Sequence, residues 1–144
     1  MKIAIGSDHA GLRLKKLIME HFKEIQFEDV GTFSEDSCDY PDYAAAVAAR
    51  VVSRAVDSGI VVCGSGIGVS ISANKIQGIR AALCVNCYMA EMSRRHNDAN
   101  VLALGARVIG DDVALRIVDI WVKTAFEGGR HQRRIDKIAE IEKR

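Results

Sequence analysis

Short apolar runs rich in β-branched residues alternate along the chain with longer stretches of helical spacing. Each run is too short for a helix and therefore predicts a buried strand. Strands that alternate with helices favour right-handed crossovers and a parallel sheet covered on both faces. The pattern predicts an α/β fold, a three-layer α/β/α sandwich around a five-stranded parallel Rossmann-like sheet. The five runs lie at 2–5, 25–30, 60–62, 80–84 and 101–104.

The stretches between these runs carry recognisable helix ends. Ser7 or Asp8 is placed to cap the first helix, because a short polar side chain before an apolar stripe accepts the first free amides. Pro41 falls in the first turn of the second helix, where a missing backbone N–H costs nothing. Both signals support helices directly after the first strand and directly after a polar loop at 31–39.

The C-terminal third ends in two predicted helices. Asp111 is placed to cap a helix that runs to about Phe126, and two glycines at 128–129 break the pattern before a last amphipathic helix over 132–143. No linker, low-complexity tract or repeat interrupts the chain. Residues 1–144 are therefore predicted to form a single domain.

The composition excludes several classes of protein but does not indicate an activity. The 144 residues are 49% hydrophobic and 27% charged, with a net charge of +1, so no global field favours nucleic acid or a membrane as a partner. No apolar run reaches the length of a membrane span and no signal-peptide core is present. Four cysteines without such a signal indicate reduced thiols, and we expect a cytoplasmic protein.

The strongest chemical signal is a cysteine that ends the third strand and opens a glycine loop. Cys63 is followed by Gly-Ser-Gly-Ile-Gly at 64–68. Glycines let a ligand approach the backbone, and unpaired amides between a strand and a helix attract an anion and favour a neighbouring thiolate. The spacing is GxGxG rather than GxGxxG and no GxxxxGK[ST] occurs, which disfavours a dinucleotide or nucleoside triphosphate. A small phosphorylated or carbonyl-bearing ligand fits the loop better.

Further cysteines and histidines have less specific interpretations. Cys84 and Cys87 form an isolated CxxC, which we interpret as two structural cysteines at a strand end, and Cys38 as a loop residue. His9 follows the first strand and His96 precedes the fifth; we expect both at the same edge of the sheet, where they could act as acid and base.

A basic cluster after the Gly-Gly break is either a solvated helix face or a phosphate clamp, since guanidinium groups suit dianions. Its members are Arg130, His131, Arg133 and Arg134. If the last helix reaches a neighbouring subunit, the clamp could complete that neighbour's site.

Six motifs, in order along almost the whole chain, resemble the ribose-5-phosphate isomerase B family, whose wider group includes allose-6-phosphate isomerases and the galactose-6-phosphate isomerase subunits. They are SDHAG at 7–11, DYPDYA at 39–44, CGSGIG at 63–68, ANKIQGIRAA at 73–82, RRHNDANVLALGAR at 94–107 and GGRHQRR at 128–134. The resemblance implies a metal-independent, cofactor-free aldose–ketose isomerase of the non-oxidative pentose phosphate pathway. Such an enzyme interconverts ribose 5-phosphate and ribulose 5-phosphate through a cis-enediolate.

The same resemblance implies roles for the glycine loop. Cys63 would be the base that moves a proton between C2 and C1, because the glutamate that some relatives carry at residue 69 is here Val69. Ser65 stands where threonine is common and would shuttle protons between O1 and O2. The loop amides would hold the developing enediolate oxygen. These amides belong to Gly64, Ser65, Gly66, Ile67 and Gly68.

The remaining implied roles concern ring opening, sugar contact and phosphate binding. His96, assisted by Asp8, would open the furanose ring, and Tyr40 and Asn97 would contact the sugar. The phosphate-binding set would be His9, Arg107, Arg130 and Arg134. Family members are dimers, sometimes tetramers, with each site built from two subunits, so the C-terminal helix is expected to pack on a partner subunit.

Two alternatives stay open at this stage. The substrate could be a six-carbon phosphate such as allose 6-phosphate, because the depth of the pocket decides the chain length of the sugar. A sugar-phosphate-binding regulatory module could keep the loop without turnover, although pure binding needs neither Cys63 nor His96.

Overall fold

Strands and helices alternate along the chain until the fifth strand, and two helices follow it. The computed structural model describes residues 1–144. The strands are β1 (Lys2–Ser7), β2 (Gln26–Asp29), β3 (Ser58–Cys63), β4 (Ala81–Leu83) and β5 (Val101–Gly105). The helices are α1 (Leu12–His21), α2 (Tyr40–Val52), α3 (Ile67–Ala73), α4 (Cys87–Arg95), α5 (Asp111–Lys123) and α6 (Arg130–Ile141).

All five strands belong to one parallel sheet in the order β2-β1-β3-β5-β4. The register places Ile60 of β3 between Ile5 of β1 and Leu102 of β5. The predicted five-stranded parallel sheet is therefore confirmed. The helices contain no candidate membrane-spanning segment of sufficient length and hydropathy.

Alternate residues of β3 supply two separate hydrophobic cores, because successive side chains of a strand point to opposite faces. Ile60 and Val62 pack with residues of α1, α4 and α5, among them the fully buried Trp121. Val61 and Cys63 pack on the other face with α2 and α3. The arrangement is the predicted three-layer α/β/α sandwich.

The predicted cap of α1 was wrong in position. Ser7 is the last residue of β1, and the N-cap of α1 is Gly11, which has no side chain to offer. Asp8 instead accepts a hydrogen bond from the Gly11 amide over 3.0 Å, so its carboxylate closes the turn between strand and helix.

The predicted ends of the last two helices also shift. Asp111 is the first residue of α5 rather than its cap, and its carboxylate receives two hydrogen bonds from the Arg13 guanidinium at 2.7 and 2.9 Å. This pairing lowers the pKa of Asp111 through the hydrogen bond from Arg13. The helix ends at Lys123, before the predicted Phe126, and α6 begins at Arg130, directly after the glycine pair.

A fully buried lysine fixes the loop that leads from β2 to α2. The Nζ of Lys15 donates to the Asp29 carboxylate and to the Thr32 carbonyl oxygen, both over 2.6 Å. The same ammonium lies 4.9 Å from the centre of the Phe33 ring. Since a buried charge is tolerated only when it is paired and hydrogen-bonded, these contacts hold the start of the loop against α1.

Candidate active site

A cavity of about 600 Å³ lies at the carboxyl edge of the sheet, where β1, β3 and β5 end side by side. Ligands of parallel α/β sheets bind at this edge, beyond the strand ends. The predicted site residues that line it are Asp8, His9, Tyr40, Cys63, Gly64, Ser65, Ile67, Gly68 and Arg107. The structure therefore brings nine predicted residues together around one cavity.

Cys63, the last residue of β3, places its sulfur at the wall of this cavity. The side chain is 4% exposed, and the Gly66 amide donates a hydrogen bond to Sγ over 3.1 Å. A sulfur held by a backbone amide has a fixed orientation toward the cavity. This position suits a base or a nucleophile.

Two glycines of the loop leave no room for side chains. Gly66 has φ +77, and a Cβ there would lie 2.5 Å from Leu83 Cδ1 and 2.9 Å from the carbonyl carbon of Leu104. A Cβ on Gly68 would lie 2.6 Å from the ring of Tyr40. The loop can therefore pass between β5 and the Tyr40 ring only with glycine at these positions.

The loop offers fewer free amides than the sequence suggested. The Gly66 amide is taken by Cys63 Sγ, and the Ile67 amide donates to Ser65 Oγ over 3.2 Å. The amides of Gly64, Ser65 and Gly68 have no acceptor within the chain. The anion cradle therefore has three donors beside the sulfur rather than five.

The β1 turn contributes Asp8 and His9 to the other side of the cavity. Asp8 is 6% exposed and held by the Gly11 amide, and the Nδ1 of His9 accepts a hydrogen bond from the Cys38 amide over 3.2 Å. Because Nδ1 is the acceptor, the neutral ring carries its proton on Nε2. His9 can therefore donate from Nε2 to an anion without being charged. Cys38, interpreted from the sequence as a plain loop residue, sets this orientation through its backbone.

Arg107 provides the permanent positive charge of the cavity. Its amide donates to the Gly64 carbonyl oxygen over 2.9 Å, and its side chain passes over Gly64, where a Cβ would lie 3.4 Å from the guanidinium. An exposed guanidinium beside free amides and the Nε2–H of His9 is a suitable setting for a phosphate.

The expectation that His9 and His96 share a sheet edge was wrong. His9 follows a strand and lies at the carboxyl edge, whereas His96 ends α4 and precedes β5, so it lies at the amino edge. Its neighbour Asn97 offers its carbonyl oxygen to Arg80, which itself precedes β4. The length of β5 separates the two edges by roughly 15 Å at about 3.3 Å per residue.

Of the other predicted residues, Gly66 lies in the loop beside Cys63, and the remaining three lie with His96, away from the cavity. Asn97 is exposed and borders a different cavity of about 640 Å³ between the start of β4 and α6, and Arg130 and Arg134 are exposed on α6. In a single chain the predicted site residues therefore form two separate groups. One group surrounds the cavity with Cys63 at the carboxyl edge of the sheet, and the other lies with His96 at the amino edge.

A contact that sequence reasoning missed joins His96 to α6. The rings of His96 and His131 are stacked, with centroids 4.2 Å apart and planes 10° from parallel. Burial, followed by the charges of His96 and Arg130, lowers the pKa of His131. The sequence placed His131 in the basic cluster interpreted as a possible phosphate clamp, but nothing in it indicated the contact with His96.

These two histidines and Glu127 bring one potential metal-ligand atom each within 4.8 Å of one another. Stacked imidazoles direct their in-plane lone pairs in parallel rather than toward one ion, and Arg95 already binds the Glu127 carboxylate. The arrangement therefore favours ring stacking over cation binding. It gives no reason to assign a metal to the site.

The remaining cysteines fit the structural interpretation. Cys84 is 1% exposed at the end of β4, and burial raises its pKa to about 11. Cys87 is the first residue of α4 and is half-buried. Neither borders the cavity of Cys63.

The chain matches a family described as Ribose/Galactose Isomerase over residues 3–138. It is 50% identical to ribose-5-phosphate isomerase B of Escherichia coli, covering 99% of this chain and 97% of the relative, and 52% identical to a putative sugar phosphate isomerase of Bacillus subtilis, covering 100% and 99%. Among solved structures, ribose-5-phosphate isomerase B of Clostridium thermocellum is 57% identical with a TM-score of 0.98, covering 99% and 98% of the two chains.

A second solved structure adds a ligand. Ribose-5-phosphate isomerase B of Mycoplasma genitalium with bound ribulose-5-phosphate is 48% identical, with a TM-score of 0.95, covering 99% of this chain and 96% of that one. The match spans the strands, the cavity and the segment with His96 alike. By sequence and by fold, the chain belongs to the ribose/galactose isomerase family.

Proposed function

We propose that the protein interconverts ribose 5-phosphate and ribulose 5-phosphate through a cis-enediolate. The observation that carries this proposal is the cavity in which the Cys63 sulfur lies beside free loop amides and the cationic Arg107. The names of close relatives and the ribulose-5-phosphate bound to one of them support the same substrate. The reaction is a step of the non-oxidative pentose phosphate pathway, and a cytoplasmic location fits that role.

Cys63 is the base in this scheme. Its deprotonated sulfur takes a proton from C2 of the open-chain aldose and returns it to C1 of the enediolate, which gives the ketose. The loop supplies no rival carboxylate, because residue 69 is a valine of α3, fully buried in the core that α2 and α3 form against the sheet. The backbone hydrogen bond from Gly66 aims the sulfur at the substrate.

The loop stabilises the oxygen charge that develops during proton transfer. The free amides of Gly64, Ser65 and Gly68 are the donors, and each preorganised donor supplies on the order of 3 kcal/mol. The Ser65 hydroxyl accepts a hydrogen bond from the Ile67 amide. The hydroxyl hydrogen of Ser65 is therefore free to donate to a substrate oxygen. Ser65 is therefore suited to shuttle a proton between O1 and O2.

Ring opening requires a second copy of the chain. His96 would accept and return the proton that moves between the ring oxygen and the anomeric hydroxyl, with Asp8 at the same sugar. These two residues lie at opposite sheet edges of one chain, so His96 reaches a cavity only in a neighbouring subunit. We therefore propose a homodimer, or a tetramer of such dimers, with sites shared between subunits.

The same sharing completes the phosphate site. His9 and Arg107 border the cavity of one subunit, whereas Arg130 and Arg134 lie exposed on α6. In the dimer α6 packs on the partner and brings both guanidinium groups to the partner's cavity. Tyr40, whose ring covers Gly68, and Asn97 from the other subunit contact the sugar.

The test is turnover of ribose 5-phosphate by the purified protein in the presence of a chelator. Formation of ribulose 5-phosphate supports the isomerase and shows that no removable metal is needed. Turnover of allose 6-phosphate alone would keep the mechanism and replace the substrate. Binding of both sugar phosphates without any turnover would instead identify a regulatory module.

Mixing two inactive variants tests the shared site. Cys63→Ala and His96→Asn each remove one essential group from every site of their own homodimer. Each site of the proposed dimer takes Cys63 from one subunit and His96 from the other. In a mixed dimer one site therefore receives both substituted residues, and the other site receives both wild-type residues. Co-refolding equal amounts should therefore restore about a quarter of wild-type activity, because half of the dimers are mixed and each has one intact site of two. No restoration would contradict the shared site.

A further inference from the structure

His131 is the residue of α6 that meets the proposed ring-opening histidine. Its side chain is 4% exposed, its ring lies against that of His96 at 4.2 Å, and its Nε2 has no hydrogen-bond partner. A carboxylate oxygen of Glu127 lies 4.0 Å from this nitrogen, beyond hydrogen-bond distance, so the short contact of the buried ring is the one through its face.

Further contacts bind the end of α4 to the segment that enters α6. The Arg94 guanidinium donates to the Thr124 carbonyl oxygen over 3.3 Å, and the Glu127 amide donates to the Arg95 carbonyl oxygen over 3.0 Å. Arg95 also pairs with the Glu127 carboxylate over 3.2 Å. Arg94, Arg95 and His96 thus each contact this segment, and the stack is the last of three successive contacts.

Within one chain α6 has few other contacts, among them a hydrogen bond over 3.1 Å from the Gly78 amide to the carboxylate of Glu142, the residue that follows the helix. His131 and Ile135 are its only buried residues, and the ring of His131 is the one that contacts His96. Arg130 precedes His131, and Arg134 lies one helical turn after Arg130, so the stack also fixes where the two guanidinium groups lie relative to His96. His96 and the clamp arginines therefore form one unit.

We propose that His131 is a positioning residue for ring opening: its imidazole stacks on His96 and fixes the orientation in which that ring meets the sugar. This inference rests on the proposed function. Without the stack, the half-buried His96 side chain can rotate about its Cα–Cβ and Cβ–Cγ bonds. The acid–base nitrogen then spends only part of its time facing the ring oxygen, which lowers the rate of ring opening.

The electrostatic surroundings agree with this role. His131 is faced by His96 from α4, by Glu127 from the preceding segment at 4.0 Å, and by Arg130 and Arg134 on its own helix. Burial, followed by the positive charges of His96 and Arg130, lowers the pKa of His131, which disfavours a second positive charge beside His96.

Two activities of the protein separate ring opening from proton transfer. Ribose 5-phosphate is mainly a furanose and must be opened, whereas ribulose 5-phosphate has its C5 oxygen phosphorylated and cannot close a five-membered ring. Exchange of the C1 hydrogen of ribulose 5-phosphate with D₂O therefore needs Cys63 and the loop but no ring opening. A defect in positioning His96 must slow isomerisation of ribose 5-phosphate more than this exchange.

The decisive comparison is His131→Leu with His131→Phe. Leucine fills the buried space without a flat ring, and phenylalanine keeps the flat ring without nitrogens. We expect His131→Leu to lower kcat for ribose 5-phosphate at least about tenfold while C1 exchange stays within about threefold of wild type. We expect His131→Phe to retain both activities within about threefold. His131→Asn is the smaller replacement if the leucine variant does not fold.

Ile135→Ala is the matched control, because it removes the other buried side chain of α6 and keeps both imidazole rings. It should change isomerisation and exchange by the same factor. Equal slowing of both reactions in His131→Leu, or a phenylalanine variant as slow as the leucine variant, would overturn the inference. Wild-type protein that neither isomerises ribose 5-phosphate nor exchanges C1 would instead refute the proposed function itself.

Discussion

The amide of Gly66 donates a hydrogen bond to the sulfur of Cys63 over 3.1 Å. This bond ties the proposed base to the backbone of the loop that also supplies the oxyanion donors. The position of the sulfur therefore depends on the left-handed conformation at Gly66, φ +77. The proposed base, Cys63, and the amides that would bind the substrate oxygen are therefore positioned by the same short glycine loop.

Gly66→Ala should unfold more easily and lose most of its activity. The new Cβ would lie 2.5 Å from Leu83 Cδ1 in a conformation that alanine rarely adopts. Backbone strain of this kind costs roughly 1–3 kcal/mol, measurable by urea denaturation. Gly110→Ala is the control, because a methyl group at that position would have no neighbouring atom within 4 Å. Equal stability of the two variants would contradict this account.

Cys63→Ala should abolish isomerisation while ribose 5-phosphate still binds. Loss of a general base lowers kcat by roughly 10³-fold, but His9 and Arg107 remain to hold the phosphate. Initial rates and calorimetric titration with ribose 5-phosphate measure the two effects. Cys84→Ala is the control thiol: it should lose some stability and keep kcat, because Cys84 is buried away from the cavity. Full activity of Cys63→Ala would show that another group is the base.

Lys15→Met should weaken both the fold and phosphate binding. Removing the buried ammonium leaves the Thr32 carbonyl oxygen without its donor and the Asp29 carboxylate with only the Gly31 amide, at a cost of about 3 kcal/mol in the free energy of unfolding. The freed loop also carries the Cys38 amide that orients His9, so KM should rise more than kcat falls. Lys16→Met, on the exposed face of α1, should change neither. An unchanged KM in Lys15→Met would show that the contacts of Lys15 do not influence phosphate binding.

The lowered pKa of His131 predicts a loss of stability in acid. As pH falls through the ordinary histidine pKa near 6.5, His131 becomes protonated in the unfolded chain before it does so in the folded chain. Proton binding stabilises the unfolded state, so the free energy of unfolding falls. Above that pH the histidine contributes no pH dependence. His131→Phe should therefore flatten the decline of melting temperature between about pH 7 and 5. A decline as steep as that of the wild type would assign the acid sensitivity to other groups.

The fold was predictable because short apolar runs, which indicate strands, alternate along the whole sequence with stretches of helical spacing. The run Ile60 to Val62 is too short and too apolar for anything but a buried strand, and its alternation with helical stretches favours a parallel sheet with right-handed crossovers. The helix starts were less predictable. Asp8 and Asp111 have the chemistry of caps, but one closes the turn before α1 and the other pairs with Arg13. A capping carboxylate is an acceptor for which the first helical amides compete with every other donor that tertiary structure brings near it.

Nine of the predicted site residues line one cavity, but the geometry of the whole candidate set was not predictable. Motif resemblance selected Cys63, Asp8 and His96 together, whereas the sheet places His96 at the far edge because it precedes a strand instead of following one. The role of the Cys38 backbone could not be read from the sequence, since an amide has no residue-specific signature. The stack on His131 joins residues 35 positions apart and depends on how α6 turns after its glycines.

The placement of Cys63 and His96 at opposite sheet edges has a consequence for gene duplication. In the proposed dimer, one copy of the chain could lose its sulfur and another its ring-opening histidine, and the pair would still contain one complete site. Each diverged copy would be inactive alone. Selection would then preserve both genes together, so a division of catalytic groups between edges gives a direct route from a homodimer to an obligate pair of unlike subunits.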